Sequence, residues 1–550
     1  MAIVLAFSCS AAFTQAPPDA GRILQETRPA PPRSAAQALP PIQAPGSSKP
    51  SAPAQNGETR VQATQFDFSG NSVLSSETLR AAVAAWAGRS LNFGELLQAV
   101  EAVEARYKQA GYFLARANLP PQNIKDGSIE IGISEGRLGE TRLEGESRVA
   151  SDVVYRYLDR LPGNEVLKLS TLERQVLLIN ELAGGQANLD LQAGSQPGST
   201  DVVLVQQAEP RFSSRLDANN HGLPSTGVNR LGLSLNANSL FNQGERISVN
   251  GLSSDNQGLV TYGLRGELPI GGDGWRLTAG ASRASYSLGG TFASLDASGT
   301  ADSLRIGASY PLVRSMSSNV RLLLEADQSK LVDQFRASHL DLDKQSSALS
   351  LSTSADWLDE LAGGGSSRID LVIRSGQLDL GASAAAQDAP PNGAQAAGQF
   401  SKVTLTASRQ QTLTRSVSLQ LQLTAQTSNK NLDSSEKLSF GGAGLLPGYA
   451  SGEASADSAQ HIKLGVRWQA WPQLALSAFT DYANLQLAQN PLPGAVATNQ
   501  RQLSDIGISA DWQLSKAATA NAIVAQPGKE TTNPADNDKP RLWLSLSYGW

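Results

Sequence analysis

Gly132-Ile133-Ser134-Glu135-Gly136 has the G-x-S-x-G spacing of a nucleophile elbow, in which a serine on a sharp strand-to-helix turn attacks a carbonyl with a histidine as its base. An elbow must lead into a helix, but this stretch leads into another run of strand-forming residues. The only histidines are His221, His339 and His461, all beyond residue 210. Ser134 is therefore read as part of a strand exit and not as a nucleophile. Phosphate-binding loops, paired cysteines and His-x-x-x-His spacings are absent from the sequence, so no catalytic residue, cofactor or metal is expected.

The second unusual constellation is Phe440 to Asp457, FGGAGLLPGYASGEASAD. It is rich in Gly, has neither helical nor strand periodicity, and lies between two alternating segments, so it is expected to be a long loop between strands. Loops of that length are functional or disordered. Phe440 and Tyr449 favour an ordered loop that packs against something. The frame is Gly441-Gly442, then Leu446-Pro447-Gly448-Tyr449, then Gly452-Glu453-Ala454-Ser455 and Asp457. It resembles the inward-folded loop of two-partner secretion transporters of the haemolysin secretion and activation type. In that family a Gly-Gly pair leads into a Val-Arg-Gly-Tyr-like tetrad and a Gly-Glu-Ala-Ser-x-Asp tail. One position departs: Pro447 stands where the family has Arg. The resemblance implies that the Arg reaches an Asp on the lumen wall within a Phe-x-Asp motif, and Phe479-Thr480-Asp481 supplies that motif here. A proline carries no charge and donates no hydrogen bond. The latch is then absent, remade by a cation such as Arg467 or Lys463, or replaced by the stiffness of a fixed φ.

Elements of three kinds must position this loop. Met1 to Ala16 has an apolar core and small residues at Thr14 and Ala16, and reads as a signal peptide without a basic start; a lipoprotein site at Cys9 is the alternative. Cys9 is the only cysteine, so the mature chain carries no disulfide. In residues 17–56, Asp19 to Arg28 forms a short amphipathic helix capped by Asp19, with Ile23 and Leu24 on one face. Pro29 stops it, and a Pro, Ala and Ser-rich linker follows. A tethered helix is what the family uses as a removable barrel plug; a disordered tail is the alternative.

Residues 57–136 read as an α+β unit. A strand around Phe66 to Phe68 precedes a helix from Ser75 through Trp86, a helix from Phe93 to Ala110, and a closing strand from Ser128 to Ser134. The order resembles a POTRA domain, and Phe68-x-Gly70-Asn71, Tyr107-x-x-Ala110-Gly111-Tyr112, Leu119-Pro120-x-Gln122 and Glu135-Gly136 stand where that family has them. Residues 137–209 repeat the order, with helices at Ser151 to Leu158 and Ser170 to Leu182, and are read as a second POTRA domain. Sheets of this kind keep an exposed edge that can template an extended peptide.

From residue 210 to 550 the pattern becomes short alternating strands such as Leu231-x-Leu233-x-Leu235 and Leu542-x-Leu544-x-Leu546-x-Tyr548-x-Trp550. One apolar and one polar face suits a wall between lipid and a wet lumen, and lipid admits only helices and closed barrels. At about 21 residues per strand with its connection, the segment holds about 16 antiparallel strands of a transmembrane β-barrel. Tyr548 and Trp550 resemble the terminal signal that outer-membrane proteins present to their assembly machinery. Five strands are expected after Asp457, near 458–470, 474–485, 501–514, 518–525 and 541–550. With the first domains in the periplasm, that parity starts the 440–457 loop on the external side. Gly381 to Gln399 and Gln526 to Pro540 read as mobile loops.

Charge narrows the partners. Lys plus Arg total 45 against 50 Asp plus Glu, a weakly acidic balance that gives no electrostatic reason to expect nucleic acid. The resemblance implies a bacterial outer-membrane translocator. It would take an unfolded exoprotein (an adhesin, a haemolysin or a contact-dependent toxin) through its POTRA domains and pass it through the barrel pore. An outer-membrane assembly factor of the same superfamily and a passive porin are the alternatives.

Overall fold

The computed structural model describes residues 17–27, 60–163, 165–391, 393–491, 499–529, 531–532 and 537–550. The expected leader, Cys9, and the linker beyond Thr27 lie outside them.

Sixteen antiparallel strands, from Phe212–Asn219 to Arg541–Gly549, close into one barrel. Alternation dictates which face each residue takes. On the strand Leu474–Gln486, Ala475, Ser477, Phe479, Asp481, Ala483 and Leu485 are shielded, whereas Leu476 and Tyr482 are exposed. The exposed set is the lipid face. Trp275, Trp468, Trp471, Trp512, Tyr548 and Trp550 are all outward and exposed, clustered near the turns on one side, as an aromatic girdle at the membrane interface requires. That side is the one on which the second α+β unit sits, the side expected to be periplasmic. Trp550 closes the seam there, its N–H donating to Ser214 O and its carbonyl accepting from Ser214 N. No helix among the described residues is long and apolar enough to cross a membrane.

The five expected strands after Asp457 are Ser458–Trp471, Leu474–Gln486, Gln500–Gln513, Ala518–Pro527 and Arg541–Gly549. The two stretches read as mobile are partly built into elements. Ala382–Asp388 is a helix, and the strand ending at Pro527 runs past Gln526.

Two α+β units precede the barrel. In the first, Gln65–Ser69 pairs parallel with Ser128–Ser134, which pairs antiparallel with Arg116–Asn118. The Ser75-capped helix is shorter than the sequence implies, Ser76–Ala82, because the chain turns through Val83 to Gly88, where Gly88 takes φ 77°. The helix Phe93–Gln109 starts with a capping box between Asn92 and Glu95, which satisfies two otherwise orphaned amides. In the second unit, Ser199–Ala208 lies between Arg137–Gly145 and Gly185–Ala193. Its helices, Ser151–Leu158 and Leu169–Asn180, cover a core that includes Val154, Leu172, Val176, Val202 and Leu204.

The second unit rests directly on the periplasmic turns of the barrel. Glu181 meets Arg314 at 2.7 Å, Arg321 at 2.8 Å and Arg276 at 3.4 Å. Arg174 donates to Pro311 O at 2.8 Å and Asp273 O at 3.2 Å.

Candidate functional site: the lumen loop and its wall

The loop leaves the barrel after the strand Val417–Ser428 and returns at Ser458. Contrary to the sequence reading, its ends are not free of regular structure. Leu438–Phe440 and Ala454–Ala456 form a short antiparallel ladder that pins the loop at its base. Gly441 and Gly442 then reverse the chain with φ 93° and 89°. A Cβ on Gly441 would stand 2.0 Å from Ala450 O, so only glycine fits. Leu446 also takes a positive φ, 61°. This costs about 1–2 kcal/mol for a side chain of that size, and full burial of Leu446 offsets it.

The tip is held by backbone groups. Pro447 O accepts from Trp543 Nε1 at 2.7 Å, and Gly448 N donates to Asp505 Oδ2 at 2.7 Å. A Cβ on Gly448 would lie 2.7 Å from Asp505 Cβ. Tyr449, fully buried, places its hydroxyl between the backbones of Ser504 and Lys529, accepting from Lys529 N at 3.1 Å and within 3.1 Å of Ser504 O. Farther along, Glu453 takes Arg501 NH2 at 2.5 Å and Thr532 Oγ1 at 2.6 Å. Gly452, at φ 68°, leaves the space that Arg22 occupies.

Asp481 lies on the shielded face of its strand, and of the two cations named for it from sequence, Arg467 is not its partner. Arg467 pairs with Asp511. It stands opposite Ser477 in the ladder, four residues along the strand from Asp481, roughly 13 Å at 3.3 Å per residue. Asp481 instead meets His461 Nε2 at 2.6 Å and Lys463 Nζ at 3.2 Å, with His461 and Asp481 both shielded from solvent. Lys463 Nζ also lies 3.7 Å from the Phe479 ring centroid, a cation–π contact. Phe479 sits between Gly465 and Gly507, which pair with it on either side. The carboxylate that receives the loop is Asp505, directly opposite Asp481 in the ladder.

From sequence, His461 is weighed only as a catalytic base and set aside, and Trp543 is not named. Alternation carried the signal for both. His461 shares the inward face with Lys463, and Trp543 interrupts the outward Leu542-x-Leu544 series with an aromatic on the polar face.

The POTRA motifs gather around one carboxylate. Glu135 accepts from Ser72 N at 2.6 Å, Val73 N at 2.9 Å and Tyr107 Oη at 2.8 Å, and also from Ser72 Oγ. Burial pushes its carboxyl up, but these donors outweigh burial and hold it below the usual carboxylate range. Burial and the adjacent Glu135 push the Tyr107 hydroxyl up. Asn71 donates to Leu74 O at 2.9 Å, and Gly70 brings its backbone under Ile133 O, where a Cβ would not fit. Phe68 packs on the core, and Gln122 bridges Pro120 O and the backbone of Glu130. Gly111 O accepts from Leu169 N at 2.9 Å, and Lys168 lies over Tyr112, so this corner joins the two units. Gly136 crosses Leu114 too closely for a side chain. Ser134 is exposed on the strand exit. At the other end of the chain, Tyr548 and Trp550 stack at 5.7 Å on the outer face.

The helix Ala20–Thr27 lies inside the barrel. Asp19 caps it and also meets Lys344 at 2.9 Å and Ser434 Oγ at 2.7 Å. Ala20, Ile23 and Leu24 pack on Leu223, Leu259, Tyr286, Ala301 and Leu331. Arg22 NH2 reaches Ser451 O at 3.4 Å, and Glu26 pairs with Arg230 at 2.9 Å.

Comparison with known proteins gives the same outline. The family described as haemolysin secretion/activation protein ShlB/FhaC/HecB matches residues 198–492, and the ShlB-type POTRA domain matches residues 61–136. The heme/hemopexin transporter protein HuxB of Haemophilus influenzae is 25% identical over 468 residues, 84% of this chain and 82% of HuxB. The outer membrane transporter CdiB of Dickeya dadantii is 24% identical over 414 residues, 74% of this chain and 72% of CdiB. In fold, the chain is similar to CdiB from Escherichia coli, with a TM-score of 0.69 at 20% identity, over 92% of this chain and 93% of that one.

Proposed function

The chain belongs to the haemolysin secretion/activation family, and on that premise we propose how its parts divide the work of export. It is an outer-membrane β-barrel transporter that secretes a partner exoprotein, with its POTRA domains in the periplasm. The two POTRA units receive the unfolded partner. The barrel is the conduit, and the helix and the 440–457 loop regulate its lumen. The observation that carries this reading is the seating of the second unit on the periplasmic turns, so that bound chain is delivered at the pore entrance. Gln65–Ser69, Arg116–Asn118, Arg137–Gly145 and Gly185–Ala193 are the edge strands of the two three-stranded sheets. An edge adds an incoming strand by main-chain hydrogen bonds, which tolerates many sequences and suits a transient client. The partner is an adhesin, a haemolysin or a contact-dependent toxin, and Tyr548 and Trp550 address the barrel to the assembly machinery.

Residues 57–210 should bind the partner's N-terminal region with Kd on the order of micromolar, enough for capture and release. Deleting Val61 to Gly136 should abolish secretion while the barrel still assembles, as judged by heat-modifiable migration on gels. Normal secretion from that deletion would remove the receptor role.

A further inference from the structure

We propose that the lumen loop is latched with reversed polarity, carboxylates on the loop and guanidiniums on the wall, and that Arg374 is the positioning residue at its root. This rests on the loop being part of the export machinery. Glu436 belongs to the loop's ascending limb, just before Leu438–Phe440. Its carboxylate is gripped by Arg374 from the strand Gly365–Leu380, with Nε to Oε2 at 2.9 Å and NH2 to Oε1 at 2.9 Å. The other edge of the same guanidinium holds Asp327 of the strand Ser318–Phe335, at 2.5 and 2.9 Å, and Ser350 Oγ at 2.9 Å. Lys402, from a third strand, meets Glu436 at 2.9 Å. Arg374 and Glu436 are each 3% exposed.

A planar guanidinium with donors on two edges is suited to bridging two carboxylates. The four charges, two of each sign, cancel within the cluster, which makes their burial tolerable. At the descending limb the same arrangement recurs, with Glu453 on the loop and Arg501 on the wall. Between the two clamps the tip carries no cation at 447, and the wall's Asp481 is occupied by His461 and Lys463. The side-chain ion pairs that hold the loop to the wall therefore run in the opposite sense to an arginine on the tip.

The test uses the full chain in nanodiscs with a spin label at Gly444→Cys, in a Cys9→Ser background. Gly444 faces open space, so a label there is tolerated. The label should be immobile when the clamp is intact. Glu436→Gln should raise the released population about ten-fold or more, the scale expected for a lost bidentate charge-assisted contact. Arg374→Lys, which keeps the charge but not the fork, should fall between. Arg374→Gln should release the loop as well, and Arg374→Gln with Glu436→Gln should release it no further than either change alone, a non-additivity that two unconnected structural roles would not produce. If Arg374→Gln fails to assemble, Glu436→Gln decides, because it leaves the Arg374 to Asp327 pair intact. A label that stays immobile in Glu436→Gln but is released by Asp505→Ala would overturn the proposal. Export by the unmodified chain is scored separately in cells. A chain that exports nothing refutes the functional reading while the label still decides the latch.

Discussion

Tyr449 buries its whole ring yet keeps its hydroxyl among the backbone groups of Ser504 and Lys529, so truncating it costs both packing and hydrogen bonding. Tyr449→Ala should destabilise the seated loop by about 3–5 kcal/mol, the range for emptying a large aromatic site, and should cut secretion most among the loop residues. Tyr449→Phe should cost about 1–2 kcal/mol. Asp481→Ala acts differently, because no loop residue is its partner. It strips the anion from His461 and Lys463, and Lys463 retains its place over Phe479. Its effect on secretion should be the milder of the two. Side-by-side secretion assays decide it, and abolished secretion in Asp481→Ala with normal secretion in Tyr449→Ala would mean that the wall, not the tip, sets the loop position. Much of this was legible in the sequence by alternation, which put Phe479, Asp481, Lys463 and Arg467 on one face. The pairing was not, because which cation reaches Asp481 depends on the offset between neighbouring strands. That offset sets Lys463, not Arg467, opposite Asp481.

At the scale of elements, a helix of eight residues is too short to persist alone in water, so Ala20–Thr27 owes its form to the lumen. Ile23 and Leu24 each contribute about 1.5–3 kcal/mol by leaving water, and Asp19 and Glu26 tie the two ends to Lys344 and Arg230. The amphipathic pattern and the Asp19 cap were readable in sequence. The sites that receive them, from 204 residues away at Arg230 to 325 at Lys344, were not, since no local signal encodes such a contact. Removing residues 17–56 should vacate the lumen, raise single-channel conductance in planar bilayers, and leave secretion largely intact. Unchanged conductance would mean that another element, the 440–457 loop foremost, limits the channel. The loop's basal ladder escaped sequence reading for a simpler reason: three-residue strands show too little alternation to be told from turn.

At the scale of the whole molecule, the proposed delivery of client chain needs the second α+β unit to stay seated on the barrel turns, and Glu181 ties it there through Arg314 and Arg321. Burial pushes its carboxyl up, but Arg321, Arg276 and Arg314 outweigh burial and hold it below the usual carboxylate range. A group depressed on docking lends stability above its free value and loses it as pH falls through the docked value. Seating should thus be complete at neutral pH and weaken only in acid, below the ordinary carboxylate range. Glu181→Gln should cost about 2 kcal/mol at neutral pH, a moderate figure because Arg276 keeps Glu267 at 2.6 Å. Apolar contact opposes the loss. Leu182 fills the space beside Gly244, and Leu178 that beside Gly274 and Pro311. Spin labels at Ser195, in the exposed turn before Ser199–Ala208, and at Arg415, in the exposed turn before Val417–Ser428, should report one narrow distance in the wild type and a broadened one in Glu181→Gln, with the acid-dependent broadening gone. An unchanged distribution would assign the seating to Leu178 and Leu182, and Leu182→Ala should then broaden it.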